Sequence, residues 1–158
     1  MVTLMNQQVL STRDYTAEDR VACLALFDGN TPEYFAPEER NEYANFLDHL
    51  PCPYLVISSF DVGVVGAGGY YVTEEPKLGA LAWGVVARAW QRRGVGRKLL
   101  QLRLSHLRAS GVSAVRVRTS PRSRGFFEHS GFRVVRVVAR GFTPEIDLVE
   151  LRLALHAA

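Results

Sequence analysis

The chain has 158 residues, of which 47% are apolar and 22% charged, and its formal net charge is +3 at pH 7. That length suits one domain with a full core, and the composition is ordinary for a globular protein. No apolar run approaches the ~18–20 residues that cross a bilayer. The sequence contains no repeats, low-complexity tracts or metal-spaced clusters.

The N-terminus and the cysteines predict a cytoplasmic protein. Residues 1–8 lack the basic and apolar regions of a signal peptide. The two cysteines, Cys23 and Cys52, lie beside apolar residues in segments that we expect to be packed. Reduced, buried thiols are typical of proteins kept in a reducing compartment.

The charged residues are unevenly distributed along the chain. Residues 76–127 contain twelve Lys or Arg and no Asp or Glu, whereas twelve of the sixteen acids precede residue 76. A basic middle suits an anionic cofactor, and an acidic first half suits a cationic acceptor. The same pattern also fits solvated helix faces, so both interpretations stay open for the acidic part.

The first third of the chain predicts one strand and two helices. Residues 9–15 read as a strand, and Thr16 with Asp19 three positions later predicts the start of a helix that ends near Phe27. Pro37, followed by two glutamates, suits the first turn of a second helix that runs to about His49.

The middle of the chain predicts three strands. Residues 54–60 and 64–73 form a predicted hairpin, and residues 80–87 form the next strand. Gly66, Gly68 and Gly69 are unusual inside a strand and predict a bulge or a close approach by another backbone or ligand.

The remainder alternates between helices and strands. The predicted order over the whole chain is therefore β-α-α-β-β-β-α-β-α-β-β, an α/β layer with a mixed sheet. The last elements are a helix at 95–110, a strand at 112–119, a helix at 122–130, and strands at 132–140 and 146–155.

The most informative segment is residues 91–96, with the sequence Gln-Arg-Arg-Gly-Val-Gly, between a predicted strand and a predicted helix. The first turn of a helix leaves N–H groups without intrahelical partners and favours an anion, so this segment predicts a phosphate site. A P-loop is excluded because one residue, not four, separates the glycines. A dinucleotide fingerprint is excluded because Leu99 stands where its third glycine is needed.

The remaining pattern, Gln-x-x-Gly-x-Gly, resembles the acetyl-coenzyme A turn of the GNAT superfamily of acyltransferases. The preceding residues 83–86 resemble the strand of that family that lies along the pantetheine arm. Residues 126–132, Phe-Phe-Glu-His-Ser-Gly-Phe, resemble its second signature, and they follow about thirty residues later in the family's order. Two signatures in the right order are more specific than one.

The resemblance implies a fold and an activity. The implied fold is a GNAT-like three-layer α/β fold with a central mixed, mostly antiparallel sheet that splays between the fourth and fifth predicted strands. Residues 1–158 are expected to form a single domain. The implied reaction is transfer of an acetyl group from acetyl-CoA to a primary amine, on a small molecule or a peptide N-terminus, by direct attack in a ternary complex without a metal.

The resemblance also implies site residues. The N–H of Val86 is the expected oxyanion donor, and the exposed backbone around it is expected to bind the pantetheine arm. Tyr70, Tyr71 and Glu74 are candidates for proton transfer, although a core tyrosine, an exposed tyrosine and a surface turn are the more ordinary explanations for them. The expected cofactor-binding residues are Gly84, Val85, Val86, Gln91, Arg92, Arg93, Gly94, Val95, Gly96, Arg97, Ser120 and Phe127.

Three positions depart from the family's pattern. The family's frequent Tyr, which protonates the leaving thiolate, falls at Phe127, which has no ionisable group. Ser120 stands where the family often has Asn, and the predicted strand at 80–87 contains no Glu to act as a general base. These departures leave the proton chemistry open.

Parts of the sequence also fit two other function classes. A catalytically silent relative that binds coenzyme A as a sensor or partner protein is favoured by Phe127 and the missing Glu. A nucleic-acid-binding module is favoured by the acid-free stretch, but Trp83 and Trp90 are its only aromatic residues before Phe126, and the acidic first half would repel a phosphate backbone. Relatives often dimerise through sheet edges or helices, so a homodimer is a candidate assembly.

Overall fold

The computed structural model describes residues 2–5 and 8–155, and within them the strands and helices follow the predicted order with one addition. A strand at the N-terminus, β1, pairs with β2 and was not predicted. The elements are β1 (Val2–Met5), β2 (Gln8–Asp14), α1 (Arg20–Gly29), α2 (Arg40–His49), β3 (Tyr54–Ser59), β4 (Gly63–Val72), β5 (Leu78–Val86), α3 (Val95–Ala109), β6 (Ala114–Thr119), α4 (Pro121–His129), β7 (Arg133–Thr143) and β8 (Ile146–Ala154).

The chain forms two compact units. The first unit contains the residues up to Tyr70 together with Trp83–Arg103, and the second contains Tyr71–Ala82 together with the residues from Leu104 onward. Strands β4 and β5 and helix α3 therefore contribute residues to both units.

In the first unit, strands β1 to β5 are neighbours in chain order, and β1 to β4 pair antiparallel. Successive residues of β3 point to opposite faces of the sheet. Val56 packs with α1 and α2 in one core cluster, whereas Ile57 packs with Val95 and Leu99 of α3 in another. Helices therefore cover both faces of this sheet, as the predicted layers require.

An ion pair attaches α1 to the strand before it. The carboxylate of Asp19 accepts hydrogen bonds from Nη1 and Nη2 of Arg13, both at 2.7 Å, and from the Thr16 N–H at 2.9 Å. The Arg13 guanidinium is the main cause of the lowered pKa of Asp19. The helical turn at Ala17–Asp19 leads directly into α1, so the predicted helix start after Thr16 is confirmed.

The glycines of β4 satisfy both predicted roles. The pairing of β3 with β4 shifts register where Ile57 opposes Gly66 and Ser58 opposes Val64, which is an irregularity of the bulge type. A Cβ at Gly69 would lie 3.0 Å from the Pro53 carbonyl oxygen, and a Cβ at Gly66 would lie 3.0 Å from Cγ1 of Val95. Neighbouring elements approach β4 so closely at these positions that a Cβ would be crowded, which explains the glycines.

In the second unit, β5 pairs parallel with β6, and β8 pairs antiparallel with both β6 and β7. The parallel pairing covers three residue pairs, from Leu78 opposite Ala114 to Ala80 opposite Arg116. These are the fourth and fifth predicted strands, and the mixed α/β sheet predicted from the sequence is confirmed. No helix among the described residues is long and apolar enough to cross a membrane.

Two glycines allow a matched test of packing. A Cβ at Gly79 would lie 2.8 Å from Cδ2 of the fully buried Leu107, whereas a Cβ at Gly29 would meet nothing within 4 Å. Gly79→Ala is expected to lower the free energy of unfolding by about 1–2 kcal/mol because Leu107 must shift. Gly29→Ala is expected to raise it by about 0.5 kcal/mol.

The measurement is urea unfolding followed by circular dichroism, with the wild type alongside. Equal stability of the two variants would contradict the proposed packing at Gly79.

Candidate functional site

The end of β5 departs from regular strand geometry at Trp83. This residue has φ 47°, in the left-handed region that L-residues seldom adopt. Its ring stacks on Tyr43 with centroids 4.9 Å apart, and its carbonyl accepts a 2.7 Å hydrogen bond from the buried Tyr54 hydroxyl. Because both the ring and the carbonyl of Trp83 have fixed partners, the tertiary structure stabilises this unusual backbone angle. The next residue, Gly84, is exposed.

The peptide bond after Val86 has a fixed direction. The Ala87 N–H donates to the Val65 carbonyl of β4 at 2.8 Å, so the Val86 carbonyl points away from β4. There it accepts a 2.9 Å hydrogen bond from Nδ2 of Asn30. Because the N–H and C=O of one strand residue point to the same side, the Val86 N–H also lies on the edge away from β4.

Asn30 is a site residue that the sequence did not reveal. It is 2% exposed, and its Nδ2 also donates to the Leu26 carbonyl at 2.8 Å. Its Oδ1 accepts a 2.7 Å hydrogen bond from Nε2 of Gln91, the first residue of the glycine turn. In the sequence, Asn30 reads as the end of α1, because Asn before Thr-Pro is typical of helix termination.

The glycine turn opens α3 as predicted. Arg92 and Gly94 have positive φ angles of 61° and 88°, which reverse the chain direction before the helix. The Lys98 N–H donates to the Gly94 carbonyl at 3.0 Å and begins the helical hydrogen bonds. The N–H groups of the preceding helical residues, 95–97, therefore have no acceptor within the helix, and the helix dipole favours an anion beside them.

Basic side chains surround this turn. Cζ of Arg93 lies 4.1 Å from the ring centroid of Trp90, a cation–π contact that orients the guanidinium. Arg92 and Arg97 are exposed. Arg88 forms an ion pair with Glu33, so one acid of the first half of the chain neutralises the edge of the basic segment.

The two candidate tyrosines of β4 have different surroundings. Tyr70 belongs to the first unit, is partly buried and packs against the core cluster that contains Trp90 and Val95. Burial raises the pKa of its phenol. Tyr71 belongs to the second unit, is 37% exposed, and its hydroxyl accepts a 3.1 Å hydrogen bond from Nη2 of Arg116.

The remaining predicted residues, Glu74, Ser120 and Phe127, belong to the second unit. Glu74 is exposed in the turn between β4 and β5. Ser120 is 4% exposed and precedes α4. The ring of Phe127 lies between those of Phe126 and Phe132, with centroids 5.1 and 5.3 Å away.

The structure thus gathers one group of predicted residues within the first unit. It contains the strand end with Gly84, Val85 and Val86, the turn from Gln91 to Gly96, and Tyr70. This group offers backbone N–H donors for an anion and a strand edge whose peptide direction is fixed by Asn30 and Gln91.

Comparison with known proteins gives one family match. A family model described as "Acetyltransferase (GNAT) family" matches residues 22–132. No curated protein sequence matches the chain.

Solved structures similar to this chain include three with acetyltransferase descriptions. A candidate acetyltransferase of the GNAT family from Desulfovibrio desulfuricans has 21% identity and a TM-score of 0.80, covering 92% of this chain and 98% of that one. Ribosomal-protein-alanine N-acetyltransferase from Brucella melitensis has 20% identity and a TM-score of 0.70, covering 92% and 99%. A candidate acetyltransferase from Salmonella typhimurium, solved with its cofactor acetyl-CoA, has 20% identity and a TM-score of 0.67, covering 94% and 96%. At these identities the likeness shows the fold.

The Asn30 hydrogen bonds allow a test that needs no ligand. Asn30→Asp keeps the shape of the side chain but replaces its N–H donors with a carboxylate oxygen that faces the carbonyls of Val86 and Leu26. The variant is expected to lose about 1–3 kcal/mol of unfolding free energy in urea.

The control is Thr31→Val, which removes the neighbouring hydroxyl and its 2.9 Å bond to the Phe27 carbonyl without touching β5. An unchanged urea midpoint for Asn30→Asp would contradict the structural role of this amide.

Proposed function

The chain belongs to the acetyltransferase (GNAT) family, and we propose that it transfers an acetyl group from acetyl-CoA to a primary amine. The acceptor amine, on a small molecule or a peptide N-terminus, attacks the thioester carbonyl directly within a ternary complex. The single observation that carries this proposal is the glycine turn that opens α3, with its N–H groups at 95–97 and its basic side chains.

The turn fits the pyrophosphate of coenzyme A. Three N–H groups without helical acceptors and the positive end of the helix dipole favour a phosphate. The side chains of Arg92, Arg93 and Arg97 add positive charge, and the acid-free sequence from 76 to 127 supplies no competing carboxylate. A polyphosphate is therefore the ligand class that this turn suits best.

The end of β5 fits the acyl end of the same molecule. Gly84 is exposed, so an extended, amide-rich arm can approach the backbone of Gly84 and Val85. We assign the oxyanion donor to the Val86 N–H, which strand geometry places on the same edge as the Val86 carbonyl. A fixed N–H of this kind stabilises negative charge on an acyl oxygen by about 3–4 kcal/mol at the transition state.

Proton transfer is assigned to the candidates that the sequence offered. The raised pKa of Tyr70 keeps its phenol protonated near neutral pH, which suits a donor to a leaving thiolate better than a base. The carboxylate of Glu74, or Tyr71 in its phenolate form beside Arg116, is the proposed group for accepting the amine proton, directly or through water. Ser120 and Phe127, in the second unit, stay predicted cofactor-binding residues.

The solved relatives support the choice of reactants. The Salmonella protein was solved with acetyl-CoA, and the Brucella protein is described as acting on ribosomal-protein alanine, which is an amine acceptor. The family model spans residues 22–132, which include parts of both compact units. We propose on this basis that residues 1–158 are one domain, and a cytoplasmic location and a homodimer stay predictions.

One observation favours a second candidate function, a catalytically silent relative that binds coenzyme A. Phe127 stands where the family's Tyr is frequent, and its ring packs between two other phenylalanines. A silent relative would bind acetyl-CoA without releasing its thiol.

A two-step assay separates these functions. We expect acetyl-CoA to raise the thermal midpoint and single-stranded DNA and RNA to leave it unchanged, because the turn suits a polyphosphate and the acidic first half repels a backbone. Thiol release with a panel of small amines and peptides then distinguishes an enzyme from a silent relative. Stabilisation by nucleic acid but not by acetyl-CoA would contradict both.

Two substitutions at Gly96 test the turn, one with a charged side chain and one with a neutral side chain of the same shape. Gly96→Asp places a carboxylate beside the proposed pyrophosphate, and Gly96→Asn places a neutral amide there. We expect Asp to weaken acetyl-CoA binding by at least a further ten-fold over Asn, because like charges repel in this geometry. Isothermal titration calorimetry measures the acetyl-CoA affinity of both variants and of the wild type. Equal affinities for wild type and Gly96→Asp would contradict the assignment of the turn to the pyrophosphate.

Phe127 is expected to contribute apolar contacts, to its neighbouring rings and to the proposed cofactor, and no proton transfer. Phe127→Leu preserves an apolar side chain between Phe126 and Phe132, so turnover should stay within a few-fold of wild type. Steady-state kinetics checks this, with circular dichroism to confirm folding. A collapse of kcat in a folded variant would give Phe127 a role in the chemistry.

A further inference from the structure

Arg103 is a charged residue in an apolar position of the first unit. It lies on α3 among buried leucines such as Leu99, Leu100 and Leu104, and it is only 3% exposed. In the sequence it counts as one more cation of the basic segment, where exposure would be the ordinary expectation. The structure instead turns its side chain into the protein.

Glycines make room for this guanidinium. A Cβ at Gly68 of β4 would lie 3.0 Å from Cζ of Arg103, and a Cβ at Gly84 of β5 would lie 3.3 Å from Nη2. An alanine at Gly68 would press on the guanidinium, which would have to move by a few tenths of an ångström. The side chain therefore ends directly behind Gly84, the exposed residue of the strand end described above.

The positive charge is poorly compensated. Nη1 of Arg103 donates to the Gly69 carbonyl at 3.3 Å, whereas the buried Nε has no hydrogen-bond partner among the described residues. Among the described residues, the ion pairs include none to Arg103. Burial lowers the pKa of the guanidinium to about 10, which still leaves it charged at neutral pH.

Such an arrangement is costly for the fold. A buried ion without a counter-ion loses its hydration, and an apolar residue of similar volume at such a place is often as stable or more stable. Since the neighbouring α3 positions are leucines, an apolar residue would fit the local pattern. The charge at this position therefore needs an explanation other than stability.

We propose that Arg103 is a positioning residue for acyl transfer. Its buried positive charge lies behind Gly84 and favours negative charge on the acyl oxygen beside the Val86 N–H. Its hydrogen bond to Gly69 also holds β4 next to that strand end. This inference rests on the proposed function, because it assumes that the acyl group lies at Val86.

The size of the effect follows from distance and medium. The guanidinium lies beside Gly84 and the acyl oxygen is proposed to lie beside Val86, two residues further along the strand, so the two groups are separated by roughly 7–10 Å. At such a separation inside a protein, one unit charge changes a transition-state barrier enough for a rate effect of about 10- to 100-fold. The effect should fall on kcat, because the charge on the oxygen develops in the transition state.

Three variants test the proposal. Arg103→Met removes the charge and keeps much of the volume, Arg103→Lys keeps the charge, and Arg108→Met removes a charge from the exposed side of the same helix. We measure urea stability, acetyl-CoA KM and kcat for each. If Arg103→Met does not fold, Arg103→Gln, which keeps an amide donor for the Gly69 carbonyl, replaces it.

The expected result is a folded Arg103→Met with an acetyl-CoA KM within a few-fold of wild type and a kcat about 10- to 100-fold lower. Arg103→Lys should recover much of the lost kcat, and Arg108→Met should match wild type. A wild-type kcat in Arg103→Met, or equal losses in Met and Lys, overturns the proposal while the acetyltransferase assignment stands. A wild type that acetylates no amine overturns the proposed function and this proposal with it.

Discussion

The carbonyl of Val86 is the point on which the candidate site depends. The Asn30 amide, at the end of α1, donates to it, and the same amide accepts a hydrogen bond from Gln91 at the start of the glycine turn. One buried side chain thus connects a helix end, a strand end and the turn that opens α3. Because buried amides and carbonyls are costly to leave without partners, these three segments hold one another in a single arrangement.

This arrangement serves both requirements of the proposed reaction, a phosphate site and a donor to the acyl oxygen. The N–H groups at 95–97 lie at the start of α3, nine to eleven residues after Val86. Both these N–H groups and the Val86 peptide are oriented by backbone geometry rather than by long side chains. Backbone donors that are fixed before the ligand arrives need no reorganisation when negative charge appears. The two proposed roles, phosphate binding and stabilisation of an acyl oxygen, therefore depend on the same local fold.

The arginines of the basic segment have different proposed roles, because some of their side chains are exposed and one is buried. Arg92 and Arg97 are exposed beside the turn, where water and salt screen them and where they suit an incoming phosphate. Arg103 is enclosed behind Gly84, where the low dielectric makes its field strong and its burial expensive. On the opposite face of the strand end, Trp83 is held by ring stacking on Tyr43 and by the hydrogen bond from the Tyr54 hydroxyl.

The sequence by itself determined the order of the elements, the mixed α/β sheet and the turn that opens α3, because period, caps and glycine spacing are local properties. It missed β1, whose short strand is defined by its pairing with β2. Only the tertiary structure decided that Asn30 is part of the site and that Arg103 is buried, since their partners lie 56 residues away at Val86 and 34 residues away at Gly69. An asparagine at a helix end and an arginine in a basic helix look ordinary in sequence, and their roles arise only when distant backbone groups meet them.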